Sequence, residues 1–306
     1  MAVLGLDLGA SKLLARGVDA GGAVVFRDRR ATGRGLGPDA ALAMIDDVVA
    51  RARAALGRID AIGIGFPGLV DHGAGVARSS VMLDGWRDHP LAAAIADRAG
   101  APCAVDNDVN AAAVHEQAAR GARDLLLVAV GTGIGGALVL DGQLRRGHGG
   151  LAGEIGHVSI DRDGPRCDCG RRGCVNRYAS GTAIELAAGL PPGSLVEAAA
   201  RGEPALVEAV EIAADALGAA IGSALNLVDV PLVVLGGGVA GLGDRFVAAV
   251  AARARRECFA EIGGACRFET ARGGPEAAAL GAAMLARQAI AAGHAAARAS
   301  ASSSAA

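Results

Sequence analysis

Basic residues are too few and too dispersed in this chain to build a field. Thirty Lys and Arg stand against 32 Asp and Glu, a formal net charge of −2, and the arginines alternate with acids instead of forming a stripe. That argues against the broad positive surface through which proteins hold nucleic acid. Aromatics are scarce as well, at 2% of 306 residues, so the core must be packed from small aliphatics. The start, Met1 to Gly9, lacks the basic segment of a secretory signal and carries Asp7 inside its apolar run. No apolar stretch spans a bilayer uninterrupted: the run from Leu125 to Leu140 is broken by Gly131, Gly133, Gly135 and Gly136, a pattern of strand, turn and strand. These absences predict a cytoplasmic protein with neither membrane nor nucleic acid as partner. The length allows two domains, and the Ala- and Ser-rich end, 299–306, is expected to be a disordered tail.

The six cysteines divide in half. Cys103, Cys258 and Cys266 are separated singles that read as small core residues in a reducing compartment. Cys167, Cys169 and Cys174 instead follow a Glu-x-x-His pair, Glu154 and His157. One imidazole and three thiolates make a closed tetrahedral zinc set, and Pro165, Gly170 and Gly173 supply the tight loop that it needs. With no ligand position open the Zn²⁺ is expected to be structural. Its use would be to fix the loop carrying Glu154, an acid suited to anchor a polar substrate. The competing reading, three unrelated buried or reactive cysteines beside a chance histidine, leaves the spacing and the intervening glycines unexplained.

The chain also reads as a duplication. Val3 to Leu8 is an apolar run ending in Asp7-Leu-Gly9-Ala-Ser11-Lys12, followed by a second run from Leu13 to Val18, a Gly21-Gly22 turn and a third run from Ala23 to Arg27. A helix is expected over Pro38 to Leu56. The same order returns as Leu125–Val130, the turn Gly131-Thr132-Gly133, Ile134–Leu140, Asp141-Gly142 and a third strand from Gln143. Two related lobes would then each present a glycine-rich, hydroxyl-bearing hairpin turn. Backbone N–H groups in such turns form anion nests, and a matched pair points to a polyphosphate.

Two further glycine loops follow buried strands. Pro231–Leu235 empties into Gly236-Gly237-Gly238 before a helix near Asp244 to Arg256, which would let a purine or its ribose approach the backbone. Ile62–Phe66 runs into Pro67-Gly68, where a small ligand could lie against the main chain. Between the repeats, Cys103–Val105 ends in Asp106-Asn107-Asp108 and a helix is expected from Val109 to Arg120. Asp108 at the helix start is favoured by the dipole and can cap N–H groups. Three polar residues at the junction exceed what a cap requires, and suit a sugar hydroxyl that loses its proton to Asp108 while Asn107 bonds to its neighbours.

In order, Asp7-Leu-Gly-Ala-Ser-Lys12, Gly65-Phe-Pro-Gly68, Asn107-Asp-Val-Asn-Ala-Ala-Ala113, Gly131-Thr-Gly-Ile-Gly-Gly136, Ala152-Gly-Glu-Ile-Gly-His157 and Cys167-Asp-Cys-Gly-Arg-Arg-Gly-Cys174 resemble the signature blocks of the ROK family of sugar kinases and regulators. The resemblance implies an α/β, actin-like ATPase (ribonuclease H-like) fold of two duplicated lobes around a central cleft. The expected division is 1–118, joined by a C-terminal helix over about 286–298, and 119–285 with the zinc knuckle. It implies ATP and Mg²⁺ as cofactors, with Asp7, Gly9, Ser11, Lys12, Gly131, Thr132 and Gly133 toward the phosphates and metal and Gly237 and Gly238 toward the adenosine. Asp108 would be the base. Gly68, Asn107, Glu154, His157 and Asn176 would line the hexose site, His157 also binding zinc through its other ring nitrogen. The resemblance further implies a homodimer or homotetramer. The family's repressors carry an added N-terminal winged helix-turn-helix; this sequence starts at the first strand, so the kinase branch is expected.

Two positions depart from the family. Most of its sugar kinases have a glutamate two residues after the last zinc cysteine, where this chain has Asn176, and Met82 stands about where an asparagine is usual. Both bear on the sugar more than on the reaction, and admit glucose or an amino-hexose. The reaction expected is transfer of the γ-phosphate of ATP to a primary hydroxyl. The rival reading is a non-catalytic sugar-binding regulator of the same fold, supported only by Asn176 and Met82; an ATPase acting on a protein partner leaves Glu154 and the zinc block without a role.

Overall fold

In a computed structural model the protein is described over residues 1–33 and 35–303, with side chains described except at Ala240 and over 292–303. Two compact units result: Met1–Ala118 with Gly147–Leu151 and the chain from Pro275, and Ala119–Arg146 with Ala152–Gly274.

The first unit comprises β1 (Val3–Leu8), β2 (Lys12–Val18), β3 (Val24–Ala31), α1 (Pro38–Leu56), β4 (Ala61–Phe66), β5 (Leu69–Asp71), β6 (Val76–Ser79), β7 (Arg87–His89), α2 (Leu91–Ala99), β8 (Cys103–Asn107) and α3 (Asp108–Arg120). Its main sheet has the order β3-β2-β1-β4-β8, antiparallel from β3 to β1 and parallel from β1 to β8. Every residue of β4 is buried, as suits a central strand covered on both faces, whereas edge strand β3 alternates half-buried and exposed side chains. Pro38 opens α1 and Gly57, at φ 70°, closes it, each in the position its backbone favours. The buried stripe of α1, Ala41, Leu42, Ile45, Val48, Val49 and Ala52, has helical spacing and enters a core with Leu4, Leu6, Leu8 and Ile64.

In the second unit β9 (Leu125–Val130), β10 (Ile134–Leu140) and β11 (Gln143–Arg145) are followed by α4 (Asn176–Ala179), α5 (Gly181–Ala187), α6 (Leu195–Ala200), α7 (Leu206–Val228), β12 (Leu232–Gly236), α8 (Asp244–Glu257), α9 (Ala260–Ala265) and β13 (Arg267–Thr270). The sheet order is β11-β10-β9-β12-β13, again antiparallel in its first three strands and parallel in its last three. The two units thus repeat one topology, as the paired sequence runs predict. Among the described residues no helix is long and apolar enough to cross a membrane.

The last helix, α10 (Ala277–Ser303), belongs to the first unit and begins before the expected 286–298. Its early start follows from bare backbone contact. A Cβ on Gly5 of β1 would lie 1.9 Å from the Ala279 carbonyl oxygen, one on Gly63 of β4 1.8 Å from that of Ala282, and one on Gly281 1.7 Å from that of Ala111 in α3. The Gly and Ala of these segments let a helix lie directly on two strands. Gly63, Gly65 and Gly68 are filled by the protein itself, since a Cβ on Gly65 would meet the Asp108 Cα at 3.1 Å and one on Gly68 the Ser79 oxygen at 2.2 Å. The tail expected to be disordered, 299–306, falls on residues whose side chains, and from 304 whose backbone, lie outside the described residues.

Candidate functional site

In the first unit the turn between β1 and β2 is closed by the Gly9 N–H, which donates to the Lys12 carbonyl at 2.8 Å. Thr32 braces it from outside: its hydroxyl donates to the Gly9 carbonyl at 2.7 Å and its N–H to that of Ser11 at 3.1 Å. Burial pushes the Asp7 carboxyl up to about 6 against the pull of the Lys12 ammonium. Lys12 is the only lysine of the chain.

At the end of β8 the three polar residues have distinct tasks. Asp106, 4% exposed, accepts the Asn107 N–H at 2.8 Å and the Asn110 amide at 2.9 Å. The cap of α3 is chiefly Asn107, whose Oδ1 accepts from the N–H groups of Val109 at 2.9 Å and Asn110 at 3.2 Å. Its amide donates to the Gly68 carbonyl at 3.2 Å, fastening the Gly-Pro loop to the head of the helix. Asp108 shares the Val109 N–H at 2.9 Å and stands in the first turn of α3.

In the second unit the equivalent turn is closed by the Gly131 N–H on the Gly133 carbonyl at 2.8 Å. A segment beyond the cysteines holds it: the Gly181 N–H donates to Gly131 O at 2.8 Å, the Thr182 hydroxyl to Thr132 O at 3.0 Å, and Asn176 Oδ1 accepts the Ile134 N–H at 2.8 Å. Gly237, at φ 82°, is pressed on β9, where a Cβ would lie 2.3 Å from Val130 O, while the Cβ direction of Gly238 meets open space.

The Glu154 loop lies on β10 through two glycines. A Cβ on Gly153, at φ 102°, would meet Gly136 O at 2.2 Å, and one on Gly156 would meet Ile134 O at 2.1 Å. Glu154 and His157 are thereby fixed against the strand that leaves the turn. His157, Cys167, Cys169 and Cys174 gather with ligand atoms within 4.8 Å of one another. The Cys167 sulfur stands 3.6 Å from His157 Nδ1 and the Cys169 sulfur 3.5 Å from that of Cys174, near the ~3.8 Å edge of a tetrahedron with Zn–S bonds of ~2.3 Å. Gly170 and Gly173, at φ 87° and 66°, make the turns. A backbone hydrogen bond from Arg171 pulls the Cys169 thiol down to about 6, whereas burial pushes that of Cys174 up to about 12. Three sulfurs and an imidazole so close could hold a metal ion, and the donor set suits zinc. With Nδ1 on the sulfurs, His157 turns Nε2 toward Glu154, whose Oε2 is 4.0 Å away.

A family model described as ROK family matches residues 3–289. This chain belongs to the ROK family. It is 32% identical over 269 residues to the glucokinase of Streptomyces coelicolor, covering 79% of this chain and 83% of that one. To the N-acetylmannosamine kinase of Citrobacter koseri it is 34% identical over 257 residues, with 82% and 87% covered. A crystal structure of a ROK family glucokinase from Streptomyces griseus in complex with glucose and AMPPNP matches with a TM-score of 0.80 at 31% identity, over 94% of this chain and all of that one, 100%. The duplicated sheets are accordingly those of the ROK kinases, an actin-like ATPase (ribonuclease H-like) fold. Thr32, Thr182 and the bond from Ile134 to Asn176 are the parts of this site that the sequence did not reveal: Thr32 lies 23 residues from Gly9 and Thr182 50 from Thr132, so no common spacing marks the two threonines.

Proposed function

We propose that this ROK protein, a sugar kinase, transfers the γ-phosphate of ATP to the primary (6-) hydroxyl of glucose or an amino-hexose, with Asp108 as general base. The observation that carries the reading is the repeated, separately braced glycine turn, at Gly9–Ser11 and at Gly131–Gly133, with an acid at the head of α3 beside its asparagine cap. Relatives named glucokinase and N-acetylmannosamine kinase support the substrate class, and the glucose and AMPPNP of the Streptomyces griseus protein support the donor.

In this reading Asp7, Gly9, Ser11, Lys12, Gly131, Thr132 and Gly133 serve the phosphates, Gly237 and Gly238 the adenosine, and Gly68, Asn107, Glu154, His157 and Asn176 the sugar. Mg²⁺ beside Asp7 would supply charge neutralisation of the phosphates. Asp108 takes the proton of the sugar hydroxyl as its oxygen bonds to the γ-phosphorus and the bond to ADP breaks. The backbone amides of the two turns stabilise the charge on the phosphoryl oxygens. His157 and the three cysteines would hold zinc, which would fix the imidazole whose other nitrogen, with Glu154, orients the sugar. The protein acts in the cytoplasm, as a homodimer or homotetramer.

The test is ADP release with Mg-ATP across glucose, mannose, glucosamine, N-acetylglucosamine, N-acetylmannosamine and 3-amino-3-deoxyglucose, beside Asp108→Asn. Turnover on one sugar, reduced by ~10²–10⁴-fold in the variant with sugar affinity retained, is expected. Silence on every sugar from folded, zinc-loaded protein would favour a sugar-binding regulator.

A further inference from the structure

Ile134, the first residue of β10, is gripped from two sides. On one side Gly156 lies against its carbonyl, so close that a Cβ would be 2.1 Å away, and the next residue is the metal-ligating His157. On the other side its N–H donates to Asn176 Oδ1 at 2.8 Å, two residues after the ligand Cys174. Both arms therefore begin at the metal knuckle and end on the residue that follows Gly131-Thr132-Gly133.

The second arm continues along the turn. Val175, fully buried, is tied by its N–H to Val158 O at 2.9 Å, which fixes the stretch leaving Cys174. Asn176 then starts α4, and Ser180 caps α5 by accepting the Ala183 N–H. Gly181 and Thr182, the first residues of that helix, donate to Gly131 O and Thr132 O. Three bonds from one short segment thus restrain Gly131, Thr132 and Ile134.

We infer that Asn176 is a positioning residue for the nucleotide: it transmits the order of the metal knuckle to the Gly131–Gly133 turn, so that the knuckle governs nucleotide affinity as well as the Glu154 loop. This rests on the kinase reading proposed above. It assigns Asn176 a role besides any contact with sugar, and makes Thr182 its partner.

The experiment uses the full zinc-loaded chain without sugar and reads Mg-ADP binding by calorimetry, zinc content, and hydrogen exchange of the Ile134 amide. Asn176→Leu removes the acceptor, Thr182→Val removes an exposed hydroxyl, and Asn176→Asp keeps an acceptor for Ile134. The expected result is Mg-ADP binding weakened about fivefold in Asn176→Leu, the effect of one lost hydrogen bond, with zinc retained and Ile134 exchange accelerated. Thr182→Val weakens binding in the same direction, and Asn176→Asp restores slow exchange. Should Asn176→Leu fail to fold, Thr182→Val decides. Wild-type binding with both variants within twofold of it overturns the inference alone; no Mg-ADP binding by the wild type overturns the kinase reading and this one with it.

Discussion

Arg16 of β2 and Glu276, just ahead of α10, meet at 2.7 Å across 260 residues of sequence, with the arginine side chain 8% exposed and the glutamate 32%. The hydrogen bond from Arg16 holds the Glu276 carboxyl below its ordinary value of 4.5. The folded state therefore gives up that proton more readily than the unfolded chain. The stabilisation is complete above the unfolded value and is lost as pH falls through the lower folded one. Glu276→Gln should cost about 2 kcal/mol at pH 7, mostly through the buried guanidinium left without its counter-charge. Denaturant unfolding from pH 7 to pH 3 should show the gap to wild type closing toward acid; a gap independent of pH contradicts the assignment.

Gly63 is a test of how α10 is seated. Its missing Cβ would lie 1.8 Å from the Ala282 carbonyl oxygen, a backbone atom that cannot swing aside. Gly63→Ala should destabilise by about 3 kcal/mol or more, well above the usual cost of a surface change. Gly57→Ala, with open space around it but φ 70°, should cost about 1 kcal/mol by strain alone. Equal melting temperatures for the two variants would show that α10 yields to the added methyl.

Much of this architecture was legible because glycine punctuates it. Leu125–Val130, Ile134–Leu140 and Pro38–Leu56 lie at the residues that the runs and their Gly or Pro boundaries predict, and His157, Cys167, Cys169 and Cys174 gather as their spacing implies. What the sequence hid are pairings of residues far apart in the chain. Gly63 carries no local mark of its partner, yet the space beside it is taken by Ala282. The hydroxyls of Thr32 and Thr182 find carbonyls in the glycine turns without leaving any periodic mark. Asp108 reads as the cap of α3, but the side chain one residue earlier, on Asn107, reaches two N–H groups.

Cys169 separates the metal's contribution from that of packing. It is the exposed member of the cluster, so exchanging sulfur for oxygen should disturb little beyond metal affinity. Cys169→Ser should lose zinc, melt at lower temperature and need more sugar for half-maximal rate, because the loop from Gly153 to His157 loses its outer tether. The fold itself should survive, since Gly153 and Gly156 keep that loop on β10. Metal analysis with a thermal melt checks this, and retained zinc with an unchanged sugar requirement contradicts it.

Because Lys12 is the only lysine of the sequence, it offers the one side-chain amine that an amine-directed reagent can modify between residues 1 and 306. Lys12 stands at the start of β2, and its charge partly offsets the desolvation of the Asp7 carboxyl. A nucleotide seated on the first glycine turn would cover it. Acetylation followed by peptide mass analysis should therefore show Lys12 protected by Mg-ATP, with activity falling in step with Lys12 modification. Lys12→Met should weaken ATP binding about tenfold, the loss of one charge-assisted contact to phosphate. Equal labelling of Lys12 with and without nucleotide would place the phosphates elsewhere and would leave the first turn as a bend held by Thr32.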